Sequence, residues 1–251
     1  MPRTPRSKRL RRLIAERDES RGLLIAFEGP DGSGKTTQRK LLTRWLESED
    51  HDVVSTRWAS SALVKPMLKA RKKIRTLSIE EYSLLHAVDF RHRVETSILP
   101  ALWAGNTVLA DRYLFTALAR DAARGLDLDW LLHAYSPLLW PDLVIYFSMT
   151  PEDSRRRIAS TRAPRFYEAG QDVTGIDDPL ASYGRFIDRV VTEYENLSVV
   201  FQFVHVDAGD AVYRQHMRVR ELVEKAEKRP WSRFSEEAVE EWLIKSSIRA
   251  D

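Results

Sequence analysis

Cysteine is absent from this chain of 251 residues, which excludes a disulfide framework and any thiolate-bound metal. A reducing cytoplasm is the compartment that fits such a composition. Long apolar runs are missing too. Stretches such as residues 143–147 are far too short to cross a bilayer, so no membrane anchor is expected. The basic N-terminus lacks the apolar core of a secretion signal. No internal repeat and no low-complexity segment occurs. His51, His86, His92, His133, His205 and His216 show no spacing that would hold zinc. A large excess of one charge sign is missing as well, and the net +3 by itself does not indicate a nucleic-acid binder. What remains is 43% hydrophobic and 31% charged residues in periodic segments, the composition of a folded chain with one sizeable core.

The strongest positive signal is Gly29-Pro30-Asp31-Gly32-Ser33-Gly34-Lys35-Thr36, which fits G-x-x-x-x-G-K-[ST]. An apolar run at 23–28 precedes it, and a helical stripe of Leu41, Leu42, Trp45 and Leu46 follows. Strand, glycine loop and helix form the setting of a phosphate-binding loop. There backbone N–H groups and a helix N-terminus surround the phosphates. Lys35 would reach the β- and γ-phosphates, and the Thr36 hydroxyl would ligand Mg²⁺. The chain is therefore expected to bind a nucleoside triphosphate, ATP–Mg²⁺ in the reading developed below.

Along the chain, strand patterns at 23–28, 53–57, 107–111, 143–148 and 199–206 alternate with helical ones. The helices are expected at 35–47, 61–71, 79–105, 114–124, 151–160 and 183–195, then from about 211 to 228. This alternation predicts an α/β fold of three layers, a five-stranded parallel sheet flanked by helices. Residues 162–178, rich in Arg, Gly, Asp and Pro, read as a long mobile loop. Residues 1–12 hold Arg3, Arg6, Lys8, Arg9, Arg11 and Arg12 without an acid, a solvated arm or a nucleic-acid contact. After Pro230 a helix is expected to resume near Ser235, with Val239, Trp242 and Leu243 as its packing stripe.

Asp111 closes the third strand and Arg112 follows it. Ligands of open parallel sheets sit outside the strands' carboxyl ends, so both should face the glycine loop. A carboxylate for a metal beside a guanidinium for a phosphate is a phosphoryl-transfer arrangement. Of the arginines at 155, 156, 157, 162 and 165, helical spacing lets only some converge, and Arg157, Arg162 and Arg165 are the candidates.

These residues resemble a named family. Phe27 to Gln38, Asp111-Arg112-Tyr113, Pro141-Asp142-Leu143 and Thr150-Pro151-Glu152 look like thymidylate kinase in order and spacing. Residues 94–102 resemble that family's helix before the Asp-Arg-Tyr strand, and the likeness runs from about 23 to 207. It implies a P-loop NTPase sheet in the order 2-3-1-4-5, ATP as donor, a nucleoside monophosphate as acceptor and, commonly, a homodimer. It divides the chain into a basic extension at 1–20, a kinase domain at 21–228 with a lid at about 160–178, and a helical extension at 229–251. The glycine loop and Thr37 would hold ATP. Asp31 would meet the acceptor sugar and Arg112 the acceptor phosphate. Gly32 stands where some members carry a loop arginine; Arg162 and Arg165 fit members whose basic residues lie in the lid. Arg165-Phe166-Tyr167-Glu168 resembles the Arg-Tyr-Glu of family lids. Residues 206–209 lie where the family holds adenine.

The acceptor site departs from that pattern. His86 stands for a base-stacking phenylalanine, and Phe90, with Arg91 beside it, for a phosphate-binding arginine. Arg57-Trp58-Ala59 replaces Arg-Glu-Pro, and Arg120-Asp121 replaces an aromatic-Gln pair. His86 could stack on a base, or His86 and Phe90 could be core residues. Three functions are open: conversion of dTMP to dTDP, a related kinase with another acceptor, and a non-catalytic nucleotide switch that contacts nucleic acid.

Overall fold

The computed structural model describes residues 22–228. The expected basic arm at 1–20 and the terminal helix at 229–251 lie outside the described residues. Five parallel strands form one sheet: β1 (Leu24–Glu28), β2 (Val53–Arg57), β3 (Thr107–Asp111), β4 (Leu143–Ser148) and β5 (Val204–Asp207). Their order is β2-β3-β1-β4-β5, as the resemblance implies. β1 is central, with Phe27 in register with Asp111 on one side and Ile145 on the other.

Burial on both faces explains the near-continuous apolar strands. Alternate residues divide between two cores. Ile25, Phe27, Leu109, Ile145 and Phe147 pack with Leu42 and Leu46 of α1 (Lys35–Ser48) and with Val219 and Val223 of α11 (Val212–Lys228). Leu24, Ala26, Val108, Ala110 and Tyr146 face the other core. There they meet α3 (Ile79–Arg93), α4 (Leu99–Trp103), α5 (Leu114–Ala122) and α10 (Pro179–Val200). Among the described residues, no helix is long and apolar enough to cross a membrane.

Several boundaries differ from the sequence pattern, each for a local reason. α2 (Lys65–Ile74) begins four residues later than expected. Ser61, at the expected start, instead anchors the loop, its backbone N–H donating to Asp89 Oδ1. The long helix expected at 79–105 ends at Arg93, passes through a π-helical turn at Val94–Ile98 and resumes as α4, with Pro100 in its first turn. The strand expected from 199 starts at Val204, because α10 runs on to Val200 and buries Leu197 and Phe201. An unexpected helix, α6 (Leu128–Tyr135), starts at Asp127, whose carboxylate accepts from Trp130 N–H. α7 (Pro151–Ala159) follows β4, capped by Thr150.

The stretch read as a mobile loop is folded. It holds two single-turn helices, α8 (Phe166–Ala169) and α9 (Gln171–Thr174), each followed by a glycine with positive φ. Gly170 packs so closely on Phe186 that a Cβ would lie 2.3 Å from the ring. A positive φ of 71° adds a backbone reason for glycine there.

Candidate active site

The glycine loop turns out of β1 at the carboxyl edge of the sheet. Gly29 has a φ of 138°, and a Cβ on it would stand 2.6 Å from the Phe147 carbonyl oxygen of β4. Only a residue without a side chain lets the loop turn this close to its neighbour strand. At the start of α1 no side chain caps the first turn. Its leading N–H groups and positive dipole end are left for an anionic ligand. Lys35 is buried and folds onto the loop, donating from Nζ to the Pro30 carbonyl and, over 3.0 Å, to Ser33 Oγ. Burial, then the Arg112 charge, pushes its pKa down to about 7. A triphosphate would supply the countercharge that the loop itself gives it only in part.

β3 delivers its end to the same place. Thr36 Oγ1 donates to Asp111 Oδ2 over 2.6 Å, and Arg39 Nε lies 3.8 Å from that oxygen. Arg112 takes a positive φ of 68° and bonds back to the loop, N to the Phe27 carbonyl and Nη1 to the Gly29 carbonyl. A left-handed arginine costs on the order of 1 kcal/mol, so surrounding contacts must hold it. Its Nη2 also pairs with Asp31. Burial alone would raise the Asp31 pKa; the Arg112 and Arg120 charges outweigh it and hold the carboxyl well below the usual range. Asp111 and Arg112 thus face Lys35, the relation on which a phosphoryl-transfer reading depends.

Glu28 supports this corner, a role that sequence reasoning passed over. It is wholly buried and accepts from Tyr113 N, Thr116 N, Thr116 Oγ1 and Tyr194 Oη. A carboxylate at the N-terminus of α5 suits the helix dipole and ties that helix to β1, next to Arg112. The signal was a charged residue closing an otherwise apolar strand.

The segment at 160–178 folds onto α5 and the turn after it. Arg120 Nη1 bonds Asp31 at 3.1 Å, while its Nη2 donates to the Glu168 carbonyl. Arg124, in the turn just after α5, bonds Asp172 through Nε and the Tyr167 carbonyl through Nη2. Arg162 makes two bonds to Glu168 inside the lid, and Arg165 N–H donates to the same carboxylate. Arg157 reaches elsewhere. Its Nη1 donates to the Gly32 carbonyl and its Nη2 to the Ala208 carbonyl, joining the glycine loop to the turn after β5.

The acceptor candidates separate into three groups. Arg112 and Arg120 converge on Asp31, while Tyr167 lies apart, its Oη accepting from Leu77 N–H and its ring stacked on Tyr82. His86 is buried between Trp58, stacked at 5.7 Å, and Tyr82 at 4.3 Å. Burial, then the Lys72 charge, holds its pKa well below the ordinary value. The neutral ring donates from Nδ1 to the Tyr82 carbonyl and accepts from Lys72 Nζ. Phe90 lies in the core against Trp58, Tyr113 and Tyr135. Arg91 points outward to Glu95 and the Pro137 carbonyl, and Arg57 lines a separate cavity beside β2. Lys72 and Arg124 were not anticipated here, and Trp58 was named only within the changed Arg-Glu-Pro; Tyr82 packs at a tilt against His86 and stacks on Tyr167.

Asp121 lies behind this group, buried and 3.7 Å from Arg124. Burial pushes its pKa up from 3.8 to about 6, against the pull of Arg124. The folded chain therefore holds this proton more tightly than the unfolded one, and Asp121 costs stability as pH rises from about 4 to about 6. The melting temperature of Asp121→Asn minus that of the wild type should rise by several degrees across that window. A difference that stays flat or falls would contradict the assignment.

A phosphate loop on the central strand, a carboxylate and arginine on its neighbour and an arginine-bearing segment folded over them define a P-loop nucleotide kinase. The thymidylate kinase family model matches residues 27–174. The chain is 37% identical to a probable thymidylate kinase 2 of Saccharolobus solfataricus over 205 residues, 81% of this chain and 96% of the relative. A probable thymidylate kinase of Pyrococcus horikoshii is 40% identical over 55% of this chain and 70% of its own. A thymidylate kinase of Desulfotalea psychrophila is 31% identical over 82% of this chain and 98% of its own. The chain belongs to the thymidylate kinase family.

Proposed function

We propose that this chain transfers the γ-phosphoryl group of ATP to a nucleoside monophosphate, dTMP being converted to dTDP. The observation that carries the reading is the contact of Arg112 with Asp31 and the Gly29 carbonyl, which joins the donor loop to the acceptor side. Phosphoryl transfer needs positioning and charge neutralisation more than covalent help. Lys35 and the α1 N-terminus would take the donor phosphates, and Arg112 the acceptor phosphate. No strong general base is needed, because the acceptor phosphate is already ionised. Arg120, touching Asp31 and the lid at once, would exclude water as the lid settles.

Thr36 and Asp111 fit Mg²⁺: two protein oxygens beside a phosphate site, the remaining positions left to water and phosphate. When bound there, the ion neutralises charge on the β- and γ-phosphates. The residues at 21–228 would act as one kinase domain, with 160–178 as its lid. A homodimer is the assembly the family resemblance favours.

The acceptor corner favours a second reading, a kinase of the same type with a different base. His86 is enclosed by Trp58, Tyr82 and Lys72, and Arg120 is committed to Asp31 and Glu168. Sites that hydrogen-bond one base discriminate strongly, so these contacts bear directly on acceptor choice. A panel of nucleoside monophosphates in a coupled ADP-release assay decides between them. dTMP should give the largest kcat/KM; a clear preference for another monophosphate selects the second reading, and flat release across the panel rejects both.

A further inference from the structure

A cavity of about 460 Å³ opens beside the edge strand β2, and neither Asp31, Lys35 nor Arg112 lines it. Arg39 of α1, Arg57 of β2 and Arg93 of α3 do, together with Ser61, His92 and Ser97; no carboxylate is among its lining residues. Arg93 is 3% exposed, bonds Asp89 and Thr56 through Nε and Nη1, and leaves Nη2 buried without a partner among the described residues. Arg39 Nε makes no hydrogen bond but lies 3.8 Å from Asp111 Oδ2, and its Nη1 donates to Ser55 Oγ. Arg57 makes no side-chain bond or ion pair with any described residue. Buried donors left unmet cost free energy, and three guanidinium groups around one space also repel each other.

We propose that this cavity binds a phosphate group, at a site separate from the phosphoryl-transfer crevice. A phosphate oxygen would satisfy the free Arg93 Nη2 donor, and guanidinium forks match phosphate geometry. Hydroxyls of Ser61 and Ser97 suit its remaining oxygens. No Phe, Tyr or Trp lines the cavity, so the recognised element is the phosphate and not a base. The site does not depend on which nucleotide is the acceptor.

Calorimetric titration of the full chain with inorganic phosphate tests this, in a Lys35→Ala background that cripples the glycine loop. One binding event should remain, and adding Ser97→Glu, which places a carboxylate in the cavity, should weaken it by about tenfold or more. Thr96→Glu, on an exposed residue of the same wall, gives the same readout if Ser97→Glu does not fold. Adding a nucleoside monophosphate distinguishes the sources. Competition assigns the phosphate of a nucleotide and its absence assigns the free ion, and both support the site. Phosphate binding that is lost with Lys35→Ala, or unchanged by both glutamates, overturns it.

Discussion

Lys35→Ala should lower the turnover of ATP with a nucleoside monophosphate by about 10²–10³-fold, the usual loss when one preorganised charge is removed from a transition state. The side chain is buried and within reach only of the glycine loop, so few other functions would suffer. Deleting it also removes a desolvated ammonium whose pKa burial has already pushed down to about 7. Stability should therefore hold or rise while activity falls. Steady-state kinetics beside a thermal melt checks this; near-normal turnover would remove Lys35 from the reaction.

Arg112→Ala should be the second severe lesion, and it should strike both fold and activity. Breaking a buried ion pair by removing one partner can cost about 3–5 kcal/mol. Asp31 is 18% exposed and keeps Arg120 at 3.1 Å, so the loss here belongs at or below the lower end of that range. Removing the carboxylate as well separates the two effects. Asp31→Asn with Arg112→Ala should recover much of the melting temperature and none of the turnover. If the double variant regains activity, Arg112 acts only to hold the loop.

The donor half of this site was legible because its chemistry is local. A glycine loop, a lysine and a threonine sit within eight residues, and an apolar strand and a helical stripe mark their setting. Asp111 and Arg112 could also be placed, since a strand end in a parallel sheet has one destination. The sheet order came from the family resemblance and not from periodicity, and the register of β1 between β3 and β4 agrees with it. Boundaries failed where one pattern serves two states. Val199 and Val200 are β-branched and read as strand, yet they end a 22-residue helix whose Leu197 is buried.

The acceptor half was harder to read because its contacts are distant in the chain. Arg120 meets Asp31 across 89 positions and Glu168 across 48, and no local pattern announces either. Phe90 and Arg91 were aligned to a helix position whose direction depends on packing. The structure turns Phe90 into the aromatic core and Arg91 toward Glu95. The lid was taken for a loop because glycines and charges dominate it. Gly170 and Gly175 in fact end two short helices held by Arg120 of α5 and by Arg124 just after it.

The most direct test follows the phosphorus atom. The purified full chain is incubated with ATP labelled at the γ-phosphorus, magnesium and dTMP, and the products are separated. Label should move to dTDP, one equivalent for each ADP formed, at a rate that Lys35→Ala lowers by about 10²–10³-fold. Label that stays in ATP, or appears only as free phosphate whichever monophosphate is supplied, would contradict transfer across this crevice.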